Sequence, residues 1–183
     1  VRNVATVGGN LCNASPCADT APPLLVLDAS VRLQRPNATR DVPLAGLFTG
    51  PGQTALAPDE ILTEIRVPRP DARSRGVFLN RGRTRLDITK VSIAVQATLE
   101  GNVCQHARVA AGSAAPTPLR LDAVEKRLHG ATLDDDALAD AAALAAEQVT
   151  PITDIRSTEA YRRELAGVLL TRALRHLVEG RDA

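Results

Sequence analysis

The alternation of hydrophobic and polar positions predicts short strands in the first half of the chain and long amphipathic helices in the second. Val4-Ala5-Thr6-Val7 alternates briefly and runs into Gly8-Gly9-Asn10, which predicts an opening strand ending at a double glycine. A helix start is expected a few residues later. Thr20 is placed to cap a short helix running to Asp28, with Pro22 and Pro23 in its first turn, where an N–H has no intrahelical acceptor to lose. Ser30 to Arg35 carries Val31 and Leu33 on one face, a strand pattern, and Asn37-Ala38 turns the chain into a second strand from Thr39 to Leu44. Gly46 to Gly52 reads as a short helix or turn ending at Pro51-Gly52, and Ile61, Thr63, Ile65 and Val67 alternate as a further strand before Pro68.

The polar stretch from Pro68 to Arg75 marks a boundary between residues 1–75 and 76–183. Beyond it, Val91 to Leu99 and Val103 to Ala111 flank Glu100-Gly101-Asn102, a hairpin signal with glycine in a short loop. Together with Val77 to Leu79 they predict a three-stranded antiparallel sheet, ended by Pro116 and Pro118. Helices follow. The first runs from Leu121 to His129 and stops at Gly130; the second runs from Asp135 to Val149 and stops at Thr150-Pro151. The third is capped by Ser157 and runs to Val178, with Tyr161, Leu165, Leu169, Ala173 and Leu177 at i+4 steps. The small side chains of the Ala-rich second helix suit close helix packing. The pattern as a whole is α+β.

Composition narrows the function. The 183 residues can form one or two compact domains. With 22 Lys and Arg against 21 Asp and Glu, the net charge of +1 points to neither a nucleic-acid nor a membrane partner. No apolar run has the length of a membrane span, and the first residues lack a signal-peptide pattern. Aromatic residues make up only 2%, which argues against a base-stacking surface. The absence of Met leads to the expectation of a fragment, a processed piece or one side of a split subunit. Cys12, Cys17 and Cys104 are too few and too irregularly spaced for a disulfide framework or a closed zinc site, and unpaired thiols fit a reducing cytoplasm. Cys12 and Cys17 flank the glycine loop, where they read either as redox or iron–sulfur ligands or as small buried residues.

The Gly8-Gly9 pair carries the chemistry. Without Cβ atoms these residues can adopt positive φ and bring their N–H groups to an anion such as a phosphate, with Thr6 and Asn10 adding side-chain donors; the same pair also reads as a plain tight turn. His106, His129 and His176 have no neighbour at metal-ligand spacing. The sequence contains no GxSxG, P-loop or GxGxxG pattern. Asp134-Asp135-Asp136 opens a helix, where it complements the helix dipole. Arg81-Gly82-Arg83-Thr84-Arg85 is either a solvated basic loop or a loop lying over a cofactor.

The run from Thr6 to Leu33, TVGGNLCNASPCADTAPPLLVLDASVRL, resembles the second flavin-contacting segment of the FAD-binding medium subunits of molybdenum hydroxylases, the family of xanthine dehydrogenase and carbon monoxide dehydrogenase. The likeness continues through DEILTEIRVP (Asp59 to Pro68), RTRLDITKVSIAV (Arg83 to Val95), AGSAAPTPLR (Ala111 to Arg120) and TEAYRRELAGVLLTRAL (Thr158 to Leu174). The resemblance implies the later half of a vanillyl-alcohol-oxidase/PCMH-type FAD-binding domain over residues 1–75, and over 76–183 a C-terminal domain like that of carbon monoxide dehydrogenase flavoprotein. It implies FAD held by Thr6, Val7, Gly8, Gly9, Asn10, Asp19 and Leu62, with Asp87, Ile88 and Lys90 near the flavin ring. The first flavin loop of that family would lie upstream, so a separate N-terminal flavin-domain segment is an expected partner and this piece alone is expected to bind FAD poorly. The relatives' Lys ahead of the basic loop is absent here, where Leu79-Asn80 stands.

The function implied is electron transfer in the cytoplasm. Electrons would pass from a molybdopterin large subunit through the 2Fe-2S clusters of an iron–sulfur small subunit to FAD, and on to NAD, a quinone or oxygen. Two alternatives stay open: a stand-alone flavin oxidase or reductase, for which no acid/base pair is found, and a non-catalytic module that docks onto partner subunits.

Overall fold

The computed structural model describes residues 4–84 and 87–180. Fifteen short elements build three antiparallel sheets and a helical layer. Helices α1 (Val7–Cys12) and α2 (Ala21–Val26) come first. Strands β1 (Ser30–Arg35), β2 (Ala38–Pro43) and β5 (Ile61–Arg66) form a sheet in the order β2-β1-β5. Between β2 and β5, a 3-10 turn at Leu44–Gly46 leads into the hairpin β3 (Phe48–Gly50) and β4 (Gln53–Thr54). Strands β6 (Ser74–Arg81), β7 (Val91–Glu100), β8 (Val103–Gly112) and β9 (Leu119–Arg120) form a second sheet in that order. Helices α3 (Asp122–Leu128), α4 (Asp135–Gln148) and α5 (Glu159–Glu179) follow.

The long hairpin β7–β8 turns where expected, with Gly101 at φ 58°. The centre of its sheet, residues 91–97 of β7 and 109–112 of β8, is buried on both faces. Val91, Ile93, Val95 and Ala97 of β7 and Ala107, Val109 and Ala111 of β8 join Leu165, Leu169, Leu170 and Leu174 of α5 in the larger core. Each such leucine contributes roughly 1.5–3 kcal/mol by burial. On the opposite face, Ala94 and Ala110 join the smaller core around Leu11, Leu25, Val31 and Leu33. Small residues are needed there because α2 lies directly on the sheet. A Cβ added at Gly112 would stand 2.6 Å from Ser92 Oγ and 2.8 Å from Pro22 Cγ. The same device brings α4 and α5 together, where a Cβ at Gly167 would meet the Ala142 carbonyl oxygen at 2.9 Å.

Several expectations are corrected. The opening strand does not form: Val4 is 89% exposed, and the chain turns helical at Val7 because the Thr6 side chain caps the helix. Gly8 and Gly9 therefore lie inside α1, and neither has positive φ. Gly46 to Gly52 is not a single helix or turn but the end of the 3-10 turn and the β3–β4 hairpin, with Gly52 at φ 69° in its bend. The expected alternation of Ile61, Thr63, Ile65 and Val67 is broken by a bulge, where Val31 pairs Ile65 but Leu33 pairs Leu62. Leu62 and Ile65 thus both pack on the core while Ile61 is 70% exposed. The second sheet has four strands rather than three, since Leu119–Arg120 pairs with Ala110 and Ala111 despite the neighbouring prolines. The last helix is capped by Thr158, whose hydroxyl accepts from the Tyr161 N–H at 3.2 Å, and not by Ser157.

Candidate functional site

The α1 start is built by Thr6. Its Oγ1 accepts the Gly9 N–H at 2.9 Å and its carbonyl accepts the Asn10 N–H at 3.0 Å. First-turn N–H groups have no intrahelical acceptor, and those of Val7 and Gly8 have none among the described residues. No acidic residue lies in that turn. Val7 is half-exposed and Gly9 exposed, so the turn presents backbone to solvent. A Cβ at Gly9 would stand 2.9 Å from Thr6 Oγ1, so glycine is what lets the cap close. A Cβ at Gly8 would lie 3.6 Å from Leu62 Cδ2, so α1 and β5 meet at these two residues. The arrangement differs from the predicted positive-φ nest, but it offers the same groups: exposed N–H donors beside side-chain-free backbone, next to an aliphatic wall.

Two further contacts close the site. Thr20 does not cap α2 with its side chain; its hydroxyl bonds Asn10 Oδ1 instead. Asp19, exposed, accepts from Thr89 Oγ1 at 3.0 Å across 70 residues of sequence. Thr89 is itself buried and sits at the end of the loop between β6 and β7. The structure therefore brings together Thr6, Val7, Gly8, Gly9, Asn10 and Leu62, and ties Asp19 to the basic loop. In that loop Arg83 pairs Asp87 at 3.0 Å, the Ile88 N–H donates to Asp87 Oδ1 at 2.8 Å, and Ile88 is 46% exposed. A Cβ at Gly82 would meet the Thr84 carbonyl oxygen at 2.9 Å and the Asp87 carbonyl oxygen at 3.3 Å, so Gly82 lies close against both residues. Arg85 of the predicted basic cluster lies outside the described residues. A surface cavity of about 430 Å³ beside Asp28, Arg69, Gln96 and Arg108 contains none of these groups.

The three cysteines are free, and among the described residues no cluster of His, Cys, Asp and Glu could hold a metal ion. Burial pushes the Cys12 and Cys104 thiols up, which suppresses the thiolate that redox or ligand chemistry would need. His106 and His129 are exposed, and His176 lies in α5. No described helix is long and apolar enough to cross a membrane.

Thr89, Arg162 and Asp154 escaped the sequence reading, because nothing in their spacing signals contacts made across the fold. Burial of Asp154 raises its pKa, but the Arg156 N–H, the Arg162 guanidinium and the Ser157 N–H outweigh this and hold the carboxyl at about 2, against an ordinary 3.8. A depressed carboxylate stabilises the fold fully above its unfolded pKa, and this contribution is lost as pH falls through the folded value. Asp154→Asn is therefore expected to flatten the acid limb of stability between about pH 4 and pH 2. Urea unfolding at stepped pH checks this; a limb as steep as the wild type's would count against it.

Comparison with known proteins finds two family models along the chain. Residues 1–70 match the FAD binding domain in molybdopterin dehydrogenase, and residues 78–177 match the CO dehydrogenase flavoprotein C-terminal domain. A xanthine dehydrogenase FAD-binding subunit from Escherichia coli is 32% identical over 180 residues, covering 97% of this chain and 62% of the relative. The carbon monoxide dehydrogenase medium chain of Afipia carboxidovorans is 34% identical over 174 residues, covering 95% and 60%. A crystal structure of a Cu,Mo-CO dehydrogenase in its cyanide-inactivated form superposes with a TM-score of 0.94 at 33% identity, covering 98% of this chain and 63% of that one. The chain thus spans about three fifths of the length of the relatives it matches.

Proposed function

Because this chain belongs to the family of CO dehydrogenase flavoproteins, we propose that it forms part of the FAD-binding, electron-transferring subunit of a molybdenum hydroxylase. The observation that carries this reading is the exposed first turn of α1. Gly8 and Gly9 leave its backbone bare, Thr6 caps it, and Leu62 walls it. Those residues fit the group: exposed N–H donors suit the pyrophosphate, an aliphatic side chain suits a ring, and Asp19 can accept from a cofactor hydroxyl. Val7 and Gly8 would donate their N–H groups to the anion, Thr6 and Asn10 would hold that turn in shape, and Leu62 would exclude water from one side. When bound, FAD supplies the redox chemistry. This chain's task is to hold and orient it.

The reading divides the chain into residues 1–75, the second part of the FAD-binding domain, and residues 76–183, a C-terminal domain. The larger hydrophobic cluster, drawn wholly from the second of these parts, supports that division, while the smaller one joins the first part to Ala94 and Ala110 of the sheet. It assigns an iron–sulfur small subunit and a molybdopterin large subunit as partners, and NAD, a quinone or oxygen as the final acceptor. Free thiols fit a cytoplasmic setting. The test is the visible spectrum and native mass spectrum of the full-length protein purified from its host. A flavin spectrum bleached by the organic substrate, in a particle containing both partners, is expected. A colourless, catalytically competent monomer would overturn the reading.

A further inference from the structure

Resting on that reading, we infer that Arg162 is a positioning residue for the flavin, acting through Arg81, Thr89 and Lys90 at the base of the loop between β6 and β7. Arg162 lies in the first turn of α5 and is 4% exposed. Its Nη1 donates to the Lys90 carbonyl at 2.8 Å and to the Ser113 carbonyl at 3.2 Å, while its Nη2 donates to Asp154 Oδ1 at 2.8 Å. One planar guanidinium thus joins the loop's base, the end of β8 and the segment ahead of α5. Its donors form a rigid fork that an ammonium cannot reproduce.

Lys90 is held from every side. Its N–H donates to the Arg81 carbonyl at 2.8 Å, which closes the loop. Its carbonyl is taken by Arg162, and its ammonium stands 5.4 Å from the centre of the Tyr161 ring, one residue before Arg162. The residue before Lys90 is Thr89, which donates to Asp19. Ser113 has φ 58°, and its N–H donates to the Pro16 carbonyl at 2.8 Å. Arg162 therefore reaches the Pro16–Asp19 segment by two routes, through Lys90 and Thr89 and through Ser113. A displacement of Lys90 would carry Thr89, and with it Asp19, out of register with α1.

The junction is poorly built for stability alone. Among the described residues, Arg162 Nε and Ser113 Oγ are both buried without a hydrogen-bond partner. Buried polar atoms are normally paired, and apolar side chains of similar volume often serve stability as well as a buried ion pair does. What the arginine adds is a definite geometry for three backbone segments that converge on the site.

The experiment uses the full-length, flavin-loaded complex with Arg162→Lys and Arg162→Gln. The control is Arg163→Gln, whose side chain instead bonds the Ala146 and Val149 carbonyls at the end of α4. Trypsin can cut after Arg81, Arg83 and Lys90 once the loop loosens. In both Arg162 variants, cleavage there is expected to be about tenfold faster, the scale on which local opening follows loss of charge-assisted hydrogen bonds. The visible circular dichroism of the bound flavin and its reduction potential are expected to shift, with FAD stoichiometry retained; Arg163→Gln should move neither. If Arg162→Gln does not fold, Arg162→Lys, which keeps the charge, carries the test. Unchanged cleavage would overturn the inference. So would faster cleavage with unchanged dichroism and potential, which would leave Arg162 a structural clamp. A wild-type complex without flavin would instead overturn the functional reading, and that is known before any variant is made.

Discussion

Gly9→Val in the full-length subunit is expected to lower FAD affinity by roughly tenfold to a hundredfold while leaving the fold intact. A side chain at Gly9 begins 2.9 Å from Thr6 Oγ1, the atom that caps α1 through the Gly9 N–H. Both cannot stay. Either the cap opens, which costs about 0.5–2 kcal/mol, or the first turn shifts and misdirects the Val7 and Gly8 N–H groups. Hydrogen bonds to a charged group contribute about 1.5–3 kcal/mol, and each 1.4 kcal/mol is about tenfold in affinity. The fold survives because Leu11 is the only fully buried residue of α1. Flavin-to-protein ratio by absorbance, with a fluorescence titration of the apoprotein, checks this. Stoichiometric, tight FAD in the variant would show that the turn does not hold the cofactor.

Gly112→Val should be the most damaging single change to stability at the seam between the two cores. Its new side chain would overlap Pro22 at 2.8 Å and Ser92 Oγ at 2.6 Å. The serine hydroxyl can rotate away, but the Pro22 ring sits in the first turn of α2 and cannot move without that helix. Overpacking of this kind costs about 1–3 kcal/mol. For a chain of this size that corresponds to a fall in Tm of roughly 2–12 °C. The shift should also disturb Asp19, two residues before α2, so weakened flavin binding should accompany the lower Tm. Gly46→Ala is the control, because its Cβ would meet only Val42 Cγ1 at 3.7 Å. A Gly112→Val protein as stable as the wild type would show that α2 does not lie against the sheet.

Local chemistry announced much of the fold. Val31 and Leu33 are both completely buried on one face of β1, as their alternation requires. Gly101 turns the β7–β8 hairpin, and Asp134 caps α4 by accepting the Ala137 N–H at 2.9 Å. The expected helical stripe of α5 is buried at Leu165, Leu169, Ala173 and Leu177, although Tyr161 stays 42% exposed and carries Lys90 instead. The family resemblance is borne out along both halves of the chain.

Other features were out of reach because they depend on partners distant in sequence. A strand's alternation cannot reveal a bulge, since the extra residue is set by its neighbour's register; the bulge is why Ile61 faces solvent and Leu62 turns inward. A two-residue strand such as β9 has no periodicity to read. The bond between Thr89 and Asp19 spans 70 residues, and Arg162 reaches Lys90 across 72. By itself the sequence determined the β1 and β7–β8 strands, the apolar stripe of α5 and the absence of side chains at Gly8 and Gly9, because these follow from side-chain volume, turn residues and period. Tertiary structure alone decided that Leu62 lies against Gly8, that Thr89 bonds Asp19, and that one buried guanidinium joins Lys90, Ser113 and Asp154. These depend on which atoms meet when separate segments pack.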